Sequence, residues 1–266
     1  MFRYLGKLFA IAALALGVST PVLVAEARAD VFANILSKGV VRVGVFADVP
    51  PFGYPNANRE LEGFDIDLAN MVAKALGVKL EMVTVTAPNR IPYLLTDKID
   101  IVIALMGLTP ERAKSILFTA PYVNTSLAVY GPKSIAVTSP GAVGTYKISA
   151  AKGTSEDLAM SGANPKAVMM RTEDNATAAT AYISGQADLI ATNSLIAVEL
   201  AKKNTGKEFD LKFVLKRAPG HMGVKMGEHN LVRWLDSFVF FSTFNGELDR
   251  LHRKWLNTPM EPLPSL

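Results

Sequence analysis

Residues 40–47 (VVRVGVFA) are the first of three apolar, β-branched stretches that decide the fold. The other two are residues 79–86 (KLEMVTVT) and 99–105 (IDIVIAL). Stretches of this kind, bounded by turn-forming residues, are typical of buried strands. Residues 65–77 carry apolar side chains at helical spacing and end in glycine, which predicts a helix. Strands that alternate with helices require a parallel sheet covered by helices, with ligands at the carboxyl ends of the strands.

A second series of strands and helices follows the first. Strand-like segments with predicted helices between them occupy residues 147–151, 167–171, 187–191 and 211–215. Two series of this size predict an α/β protein with two lobes and a cleft between them. Each lobe is expected to be a mostly parallel sheet flanked by helices.

The lobe boundaries follow from two extended segments where the pattern changes. These are residues 123–131 and 216–225, and they suit a pair of hinge crossovers. We therefore predict that residues 30–123 plus 219–266 form lobe 1 and that the inserted residues 124–218 form lobe 2.

The composition excludes several classes of protein. Half of the 266 residues are hydrophobic, which is ample for a core and rules out a disordered chain. The chain has no cysteine, so it has no disulfide framework, no thiolate metal site and no cysteine acceptor for a lipid anchor.

The first 29 residues have the layout of a secretory signal peptide. A short basic region with Arg3 and Lys7 precedes an apolar run over residues 8–18, and cleavage sites of small residues end at Ala27 and Ala29. Cleavage after Ala29 leaves 25 Lys+Arg and 23 Asp+Glu, a net charge of +2, which is no nucleic-acid signature. We expect a soluble monomer exported into a bacterial periplasm.

Six motifs occur in order along the rest of the chain. They are PPFG (50–53), GFDIDL (63–68), NRIP (89–92), LTPERA (108–113), KGTS (152–155) and GQADLIAT (185–192). Together they resemble the family 3 bacterial extracellular solute-binding proteins, the periplasmic receptors of ABC importers for polar amino acids. The resemblance implies a two-lobed periplasmic binding protein of the class II type. Such a protein captures an amino-acid-like ligand by cleft closure and delivers it to an inner-membrane ABC permease, with no cofactor.

Arg112 is the candidate group for a ligand carboxylate. The sequence places it in the first turn of a helix capped by Thr109 and begun by Pro110, where free backbone N–H groups also face an anion. Its planar guanidinium binds a carboxylate at two points. The alternative is a solvated helix arginine that pairs with Glu111. In family members the matching arginine holds the α-carboxylate of the ligand.

A turn in lobe 2 offers a second set of carboxylate contacts. The Ser155 hydroxyl and the N–H groups beside it suit the same carboxylate, whereas Thr154 and Asp157 suit a capping box. The alternative is that both Thr154 and Ser155 only cap the helix. A carboxylate held by Arg112 and Ser155 explains why a ligand closes the cleft.

The chain departs from the family pattern at the site in three respects. One is that Val49 and Ala87 are small, where relatives often clamp the ligand side chain between aromatics. Relatives have Asp where this chain has Asn193, and that Asp binds the α-ammonium of the ligand. Either another carboxylate, Asp48 or Glu62, has replaced it, or the ligand lacks a free α-ammonium, which we favour. Relatives often carry Ser or Thr where this chain has Gly107, so only backbone contacts remain there.

The remaining candidates have structural alternatives. Phe52 suits either stacking on the ligand or anchoring of its loop in the core. Asp65 and Asp67 look like a catalytic pair, but they are expected to cap the N–H groups of a helix. The candidate ligand-binding residues are thus Arg112, Ser155, Thr154, Gly107, Asn193, Phe52, Asp48 and Leu105, with no catalytic residue and no metal ligand.

Two other functions share this sequence pattern. A periplasmic dehydratase of the cyclohexadienyl type is similar to this family throughout, but it needs an acid in the cleft, and Asn193 cannot donate a proton in that way. A ligand sensor without transport would use the same cleft. The sequence does not separate a sensor from an importer subunit.

Overall fold

The computed structural model describes residues 30–264, so the predicted signal peptide lies outside the described residues. Lobe 1 begins with nine elements: α1 (Val31–Lys38), β1 (Val40–Val45), β2 (Tyr54–Pro55), β3 (Leu61–Glu62), α2 (Phe64–Leu76), β4 (Lys79–Thr84), α3 (Arg90–Leu95), β5 (Ile101–Gly107) and β6 (Ile116–Val123). Lobe 2 follows with β7 (Ser126–Gly131), β8 (Lys147–Ala151), α4 (Ser155–Ala163), β9 (Val168–Thr172), α5 (Asn175–Ile183), β10 (Leu189–Asn193), α6 (Ser194–Lys203) and β11 (Asp210–Arg217). The chain then returns to lobe 1 through β12 (Gly220–Lys225), α7 (His229–Phe244) and α8 (Glu247–Leu256).

Each lobe contains one five-stranded sheet. The first has the order β4-β1-β5-β12-β6, and the second has the order β11-β7-β10-β8-β9. Strands β1, β4 and β5 are parallel, as are β8, β9 and β10, whereas β12 and β7 run antiparallel to their neighbours. The predicted α/β class is confirmed. The parallel strands of both sheets direct their carboxyl ends, and the loops that follow them, towards the same cleft.

The two crossings between the sheets lie side by side. The chain leaves the first sheet after Val123 and returns to it at Gly220. The Ala218 N–H donates to the Thr125 carbonyl (2.9 Å), and the Thr125 hydroxyl donates to the Ala218 carbonyl (2.7 Å). These two hydrogen bonds join the crossing segments into one hinge.

One predicted helix is wrong. The chain around Pro110 forms no α-helix, and Arg112–Lys114 is a single 3-10 turn. Strand β6 begins only two residues later, which leaves no room for a longer helix. The Thr109 hydroxyl still accepts the Arg112 N–H (3.2 Å), but so short a turn supplies no helix N-terminus for an anion. Any anion binding by Arg112 must therefore depend on its side chain.

No helix within residues 30–264 is long and apolar enough to cross a membrane. The same residues contain no cluster of three His, Asp or Glu side chains that could hold a metal ion.

Candidate functional site

The two lobes meet around a small cavity at the carboxyl ends of the strands. Its volume is about 20 Å³. Lobe 1 contributes Phe46, Val49, Arg90, Leu105 and Gly107, and the other lining residues are Leu127, Thr154, Ser155, Glu156, Asn175, Asn193, Ile196 and Ala218. A single water molecule requires a cavity of about 10–15 Å³, so an amino acid enters only when the lobes separate. The structure therefore has a closed cleft.

Arg112 lies immediately behind this cavity and joins the lobes. Its Nη1 donates to the Gly107 carbonyl (2.6 Å) within lobe 1 and to the Ser155 hydroxyl (2.9 Å) in lobe 2. Its Nη2 donates to the Gly153 carbonyl (2.9 Å), also in lobe 2. The guanidinium thus holds two lobe 2 oxygens, one on each Nη nitrogen. A carboxylate would offer its two oxygens to the same nitrogens.

The guanidinium of Arg112 is removed from solvent. The residue is 7% exposed, and burial lowers its pKa from the ordinary value, while the charge of Glu156 opposes that shift. The alternative of a solvated arginine paired with Glu111 does not hold, because Glu111 pairs with Lys114 at the surface instead. Arg112 is thus a buried cation at the contact between the lobes.

Thr154 and Ser155 have different roles at the start of α4. The Thr154 hydroxyl accepts the Asp157 N–H (3.2 Å) and donates to the Ala151 carbonyl (2.8 Å), so it is the helix cap. The Asp157 carboxylate accepts the Gly153 N–H (3.0 Å), which places the reciprocal bond one residue away from the predicted capping box. The Ser155 hydroxyl faces the other lobe and contacts Arg112.

Gly107 permits the close approach of the two lobes. A Cβ atom at this position would lie 2.5 Å from the Ser155 Oγ, which is closer than real Cβ contacts. A Ser or Thr side chain at this position would therefore displace the Ser155 hydroxyl from its place beside Arg112. The Gly107 carbonyl is the backbone contact that remains, and it accepts a hydrogen bond from Arg112.

Leu105 has a strained backbone that buried polar groups hold in place. Its φ of 45° lies in the left-handed region, which is unfavourable for a branched side chain. Its N–H is shared between the Asp65 Oδ2 (3.1 Å) and the Tyr122 hydroxyl (3.0 Å). Asp65 and Tyr122 therefore position the stretch of β5 that lines the cavity.

The predicted helix-capping role of Asp65 and Asp67 is wrong. Helix α2 has Gly63 at its cap position and no side-chain cap. Asp65 is fully buried, its Oδ1 has no hydrogen-bond partner, and burial raises its pKa to about 7. Asp67 accepts hydrogen bonds from Lys254 and Trp255 on α8. Both carboxylates thus bind groups that are distant in the sequence, instead of the N–H groups at the start of their own helix.

Asn193 lines the cavity, and both polar atoms of its amide form hydrogen bonds within the protein. Its Oδ1 accepts the Leu195 N–H (3.0 Å), so it caps α6, and its Nδ2 donates to the Thr125 hydroxyl (2.7 Å). Because the Thr125 hydroxyl donates to the Ala218 carbonyl, Asn193 must be the donor in the bond that they share. The side chain therefore connects the cavity wall to both hinge segments.

Besides Arg112, which lies behind the cavity, two predicted site residues lie outside it. Phe52 is fully buried and packs against Phe64, with ring centroids 5.9 Å apart, so anchoring of the loop in the core accounts for its position. The Asp48 carboxylate accepts the N–H groups of Asn175 (2.8 Å) and Ala176 (3.2 Å) across the cleft. Burial raises the pKa of Asp48. Asp48 thus joins the lobes as an anion at the start of α5.

Sequence reasoning missed two charged residues that line the cavity. Arg90 is 3% exposed, and it donates to the carbonyls of Ala87 (3.2 Å) and Ala104 (2.8 Å) while lying over the Phe46 ring. Burial, with the charge of Arg112, lowers the pKa of Arg90 to about 9. Its place in the NRIP motif was the only signal in the sequence.

Glu156 is the second missed residue. It is 6% exposed at the start of α4, and burial raises its pKa, although Arg90 and Arg112 oppose that shift. In the sequence, Glu156 was indistinguishable from an acidic residue that favours a helix dipole. Only the closure of the lobes brings it against two guanidinium groups.

The family model described as "Bacterial extracellular solute-binding proteins, family 3" matches residues 41–258. The ABC transporter glutamine-binding protein of Bacillus subtilis is 31% identical, with 87% of this chain and 86% of that protein covered. Cyclohexadienyl dehydratase of Pseudomonas aeruginosa is 28% identical, with 96% and 95% covered.

A solved structure of similar fold is that of an ancestral amino acid-binding protein, a precursor of cyclohexadienyl dehydratase. It is 32% identical, with a TM-score of 0.79 over 85% of this chain and 99% of the other. The L-cysteine receptor of Neisseria gonorrhoeae is 30% identical, with a TM-score of 0.79 over 85% and 93% of the two chains.

Proposed function

Because the chain belongs to the bacterial extracellular solute-binding proteins, family 3, we propose that it is a periplasmic receptor for a small carboxylate-bearing ligand. The ligand is an amino acid or an amino-acid derivative. The receptor captures it by closing residues 124–218 against residues 30–123 and 219–266, and it delivers the ligand to an inner-membrane ABC permease. In this proposal the receptor is a monomer, and its signal peptide is removed on export.

The arrangement around Arg112 carries this proposal. Its two Nη nitrogens each hold one oxygen of lobe 2, the Ser155 hydroxyl and the Gly153 carbonyl, at 2.9 Å. These two oxygens stand in for those of a ligand carboxylate. When the lobes separate, Arg112 loses both partners, and a carboxylate that takes their place restores both charged hydrogen bonds.

Closure then follows from the position of the binding groups. Arg112 belongs to lobe 1, whereas the Ser155 hydroxyl belongs to lobe 2. A carboxylate held between them contacts both lobes only when the cleft is closed, so it favours that state by its differential affinity.

A thermal-shift screen tests the proposal. Purified wild-type protein and Arg112→Ala are heated with amino acids, opines, small dicarboxylates and amines. A ligand that binds the folded state raises the unfolding temperature by mass action. We expect a shift for at least one amino-acid-like carboxylate in the wild type and none in the variant. A shift confined to amines, or an equal shift in both proteins, would contradict the proposal.

A dehydratase activity is the second candidate. The Pseudomonas aeruginosa relative is a cyclohexadienyl dehydratase, and the cavity wall contains Glu156, a buried carboxyl whose raised pKa suits an acid. Incubation of the purified protein with prephenate or arogenate separates the two functions. Turnover that Glu156→Gln abolishes would establish the enzyme.

An importer subunit and a sensor would bind the ligand in the same cleft, so an experiment in cells is needed to distinguish them. A deletion strain that grows poorly on the ligand as nitrogen source supports delivery to a permease. Normal growth with a lost response to the ligand supports a sensor.

A further inference from the structure

Asn193 supplies no negative charge that could pair with a ligand ammonium. Its amide carries no net charge, and both of its polar atoms are engaged with Leu195 and Thr125. In a closed, water-poor cleft a ligand ammonium needs a compensating anion, because desolvation of an unpaired charge is costly.

The two carboxylates considered from the sequence do not fill this role. Asp48 caps the start of α5 from outside the cavity. Glu62 lies on β3, beside Tyr54, and is not among the residues that line the cavity. The anion must come from elsewhere if the ligand keeps its ammonium.

Glu156 is the one carboxylate among the described residues that line the cavity. It is 6% exposed, and within residues 30–264 no Lys or Arg nitrogen forms an ion pair with it. Arg90 and Arg112 act on it as neighbouring charges, while their own hydrogen bonds go to other groups. The Glu156 carboxylate also interacts with its own backbone N–H, and its remaining acceptor positions are available to a cationic group that enters the cavity.

The geometry points to Glu156 as the group that binds the α-ammonium of the ligand, in place of the Asp that the family resemblance implies at position 193. This replaces the expectation from the sequence that the ligand lacks a free α-ammonium. Glu156 follows Ser155 directly, so the anion lies next to the groups proposed for the α-carboxylate. An α-amino acid has its ammonium and carboxylate on one carbon and matches that adjacency. The inference rests on the proposed receptor function.

The charges around the cavity also restrict the ligand side chain. Arg90 and Arg112 contribute two positive charges and Glu156 contributes one negative charge. A basic side chain would add a further positive charge beside Arg90, which like-charge repulsion opposes. Arg90 also keeps N–H donors beyond the two that its backbone partners accept. We therefore expect a neutral or acidic α-amino acid whose side chain carries an oxygen acceptor.

Calorimetric titration of the full-length mature protein tests this assignment. The probes are L-glutamine, L-glutamate, L-arginine and glutarate, which lacks the α-ammonium of L-glutamate. The variants are Glu156→Gln, Glu156→Asp and the control Glu247→Gln, which changes a half-exposed carboxylate on α8. Glutamine has nearly the same shape as glutamate and requires no desolvation of a charge, so we expect this variant to fold although Arg90 and Arg112 lose a neighbouring anion.

The expected result separates the ammonium from the rest of the ligand. Glu156→Gln should weaken binding of L-glutamine or L-glutamate by about 30-fold or more, because it leaves a buried ammonium unpaired. Glutarate should bind the variant at least as well as it binds the wild type. Glu156→Asp should have an intermediate effect, and Glu247→Gln should have none.

Four results would overturn the assignment. Unchanged affinity of Glu156→Gln for the amino acids would remove Glu156 from the site and leave the receptor function standing. An equal loss for glutarate would show that Glu156 does not recognise the ammonium. Tightest binding of L-arginine would contradict the charge argument. A wild type that binds no amino acid at all would overturn both this assignment and the proposed function.

Discussion

Replacement of Arg112 should weaken ligand binding far more than it perturbs the fold. The side chain donates to two oxygens of lobe 2 at 2.9 Å, through separate Nη nitrogens. Each hydrogen bond from a charged group contributes about 1.5 kcal/mol or more, so the pair contributes about 3 kcal/mol. A ligand carboxylate that takes over these two bonds loses the same amount in Arg112→Ala, which is about 100-fold in affinity.

Arg112→Lys is the more demanding variant. Lysine keeps the positive charge, but its single ammonium does not reproduce the planar pair of Nη donors. We expect a loss of at least about 2 kcal/mol, so charge alone should not restore binding. Arg250→Ala, which removes an exposed arginine from α8, serves as the matched control and should bind as the wild type does.

Isothermal titration calorimetry with the ligand identified by the thermal-shift screen measures these losses. Thermal unfolding of each ligand-free variant shows that it is folded. If Arg112→Ala is folded and its affinity is within threefold of the wild type, Arg112 does not bind the carboxylate, and its role is confined to joining the lobes.

Three further variants test the structure around the cleft. Burial raises the pKa of Asp65 from 3.8 to about 7. Between pH 4 and pH 7 the folded protein therefore binds a proton at Asp65 that the unfolded protein does not, and the free energy of unfolding falls as pH rises. This dependence is at most about 1.4 kcal/mol per pH unit. In Asp65→Asn it should be absent from the free energy of unfolding that urea denaturation gives at pH 4–7. Asn193→Asp cannot donate to Thr125, so the melting temperature should fall, whereas an unchanged value would refute the hinge hydrogen bond. Gly107→Ala would place a Cβ 2.5 Å from the Ser155 Oγ and displace that hydroxyl from Arg112. The melting temperature of the ligand-free protein should therefore fall, and an unchanged value would contradict the clash.

Much of the fold was predictable because its local signals agree with the tertiary structure. The apolar stretch at residues 40–47 and the glycine that ends the next helix at Gly77, with a φ of 70°, both act locally. The sequence and the family resemblance predicted a ligand carboxylate between Arg112 and Ser155, but not the direct hydrogen bond between these two side chains. Their sequence positions are 43 residues apart, and only the closed cleft joins them.

The incorrect predictions share one physical cause. Asp65 was assigned to local capping, yet its carboxylate accepts the N–H of Leu105, 40 residues away. Arg112 was assigned to an α-helix that the early start of β6 prevents. Glu156 was overlooked because its burial arises only when the two lobes close. Contacts between distant segments outweighed local preference in each case.

Calorimetric titration of the wild-type protein with the twenty standard amino acids, after unfolding and refolding to remove any co-purified ligand, tests the central claim most directly. The account predicts saturable one-to-one binding of at least one of them, and loss of that binding in Arg112→Ala. Absence of saturable binding for all twenty, or equal binding by the variant, would contradict the claim that this cleft captures an amino acid through its carboxylate.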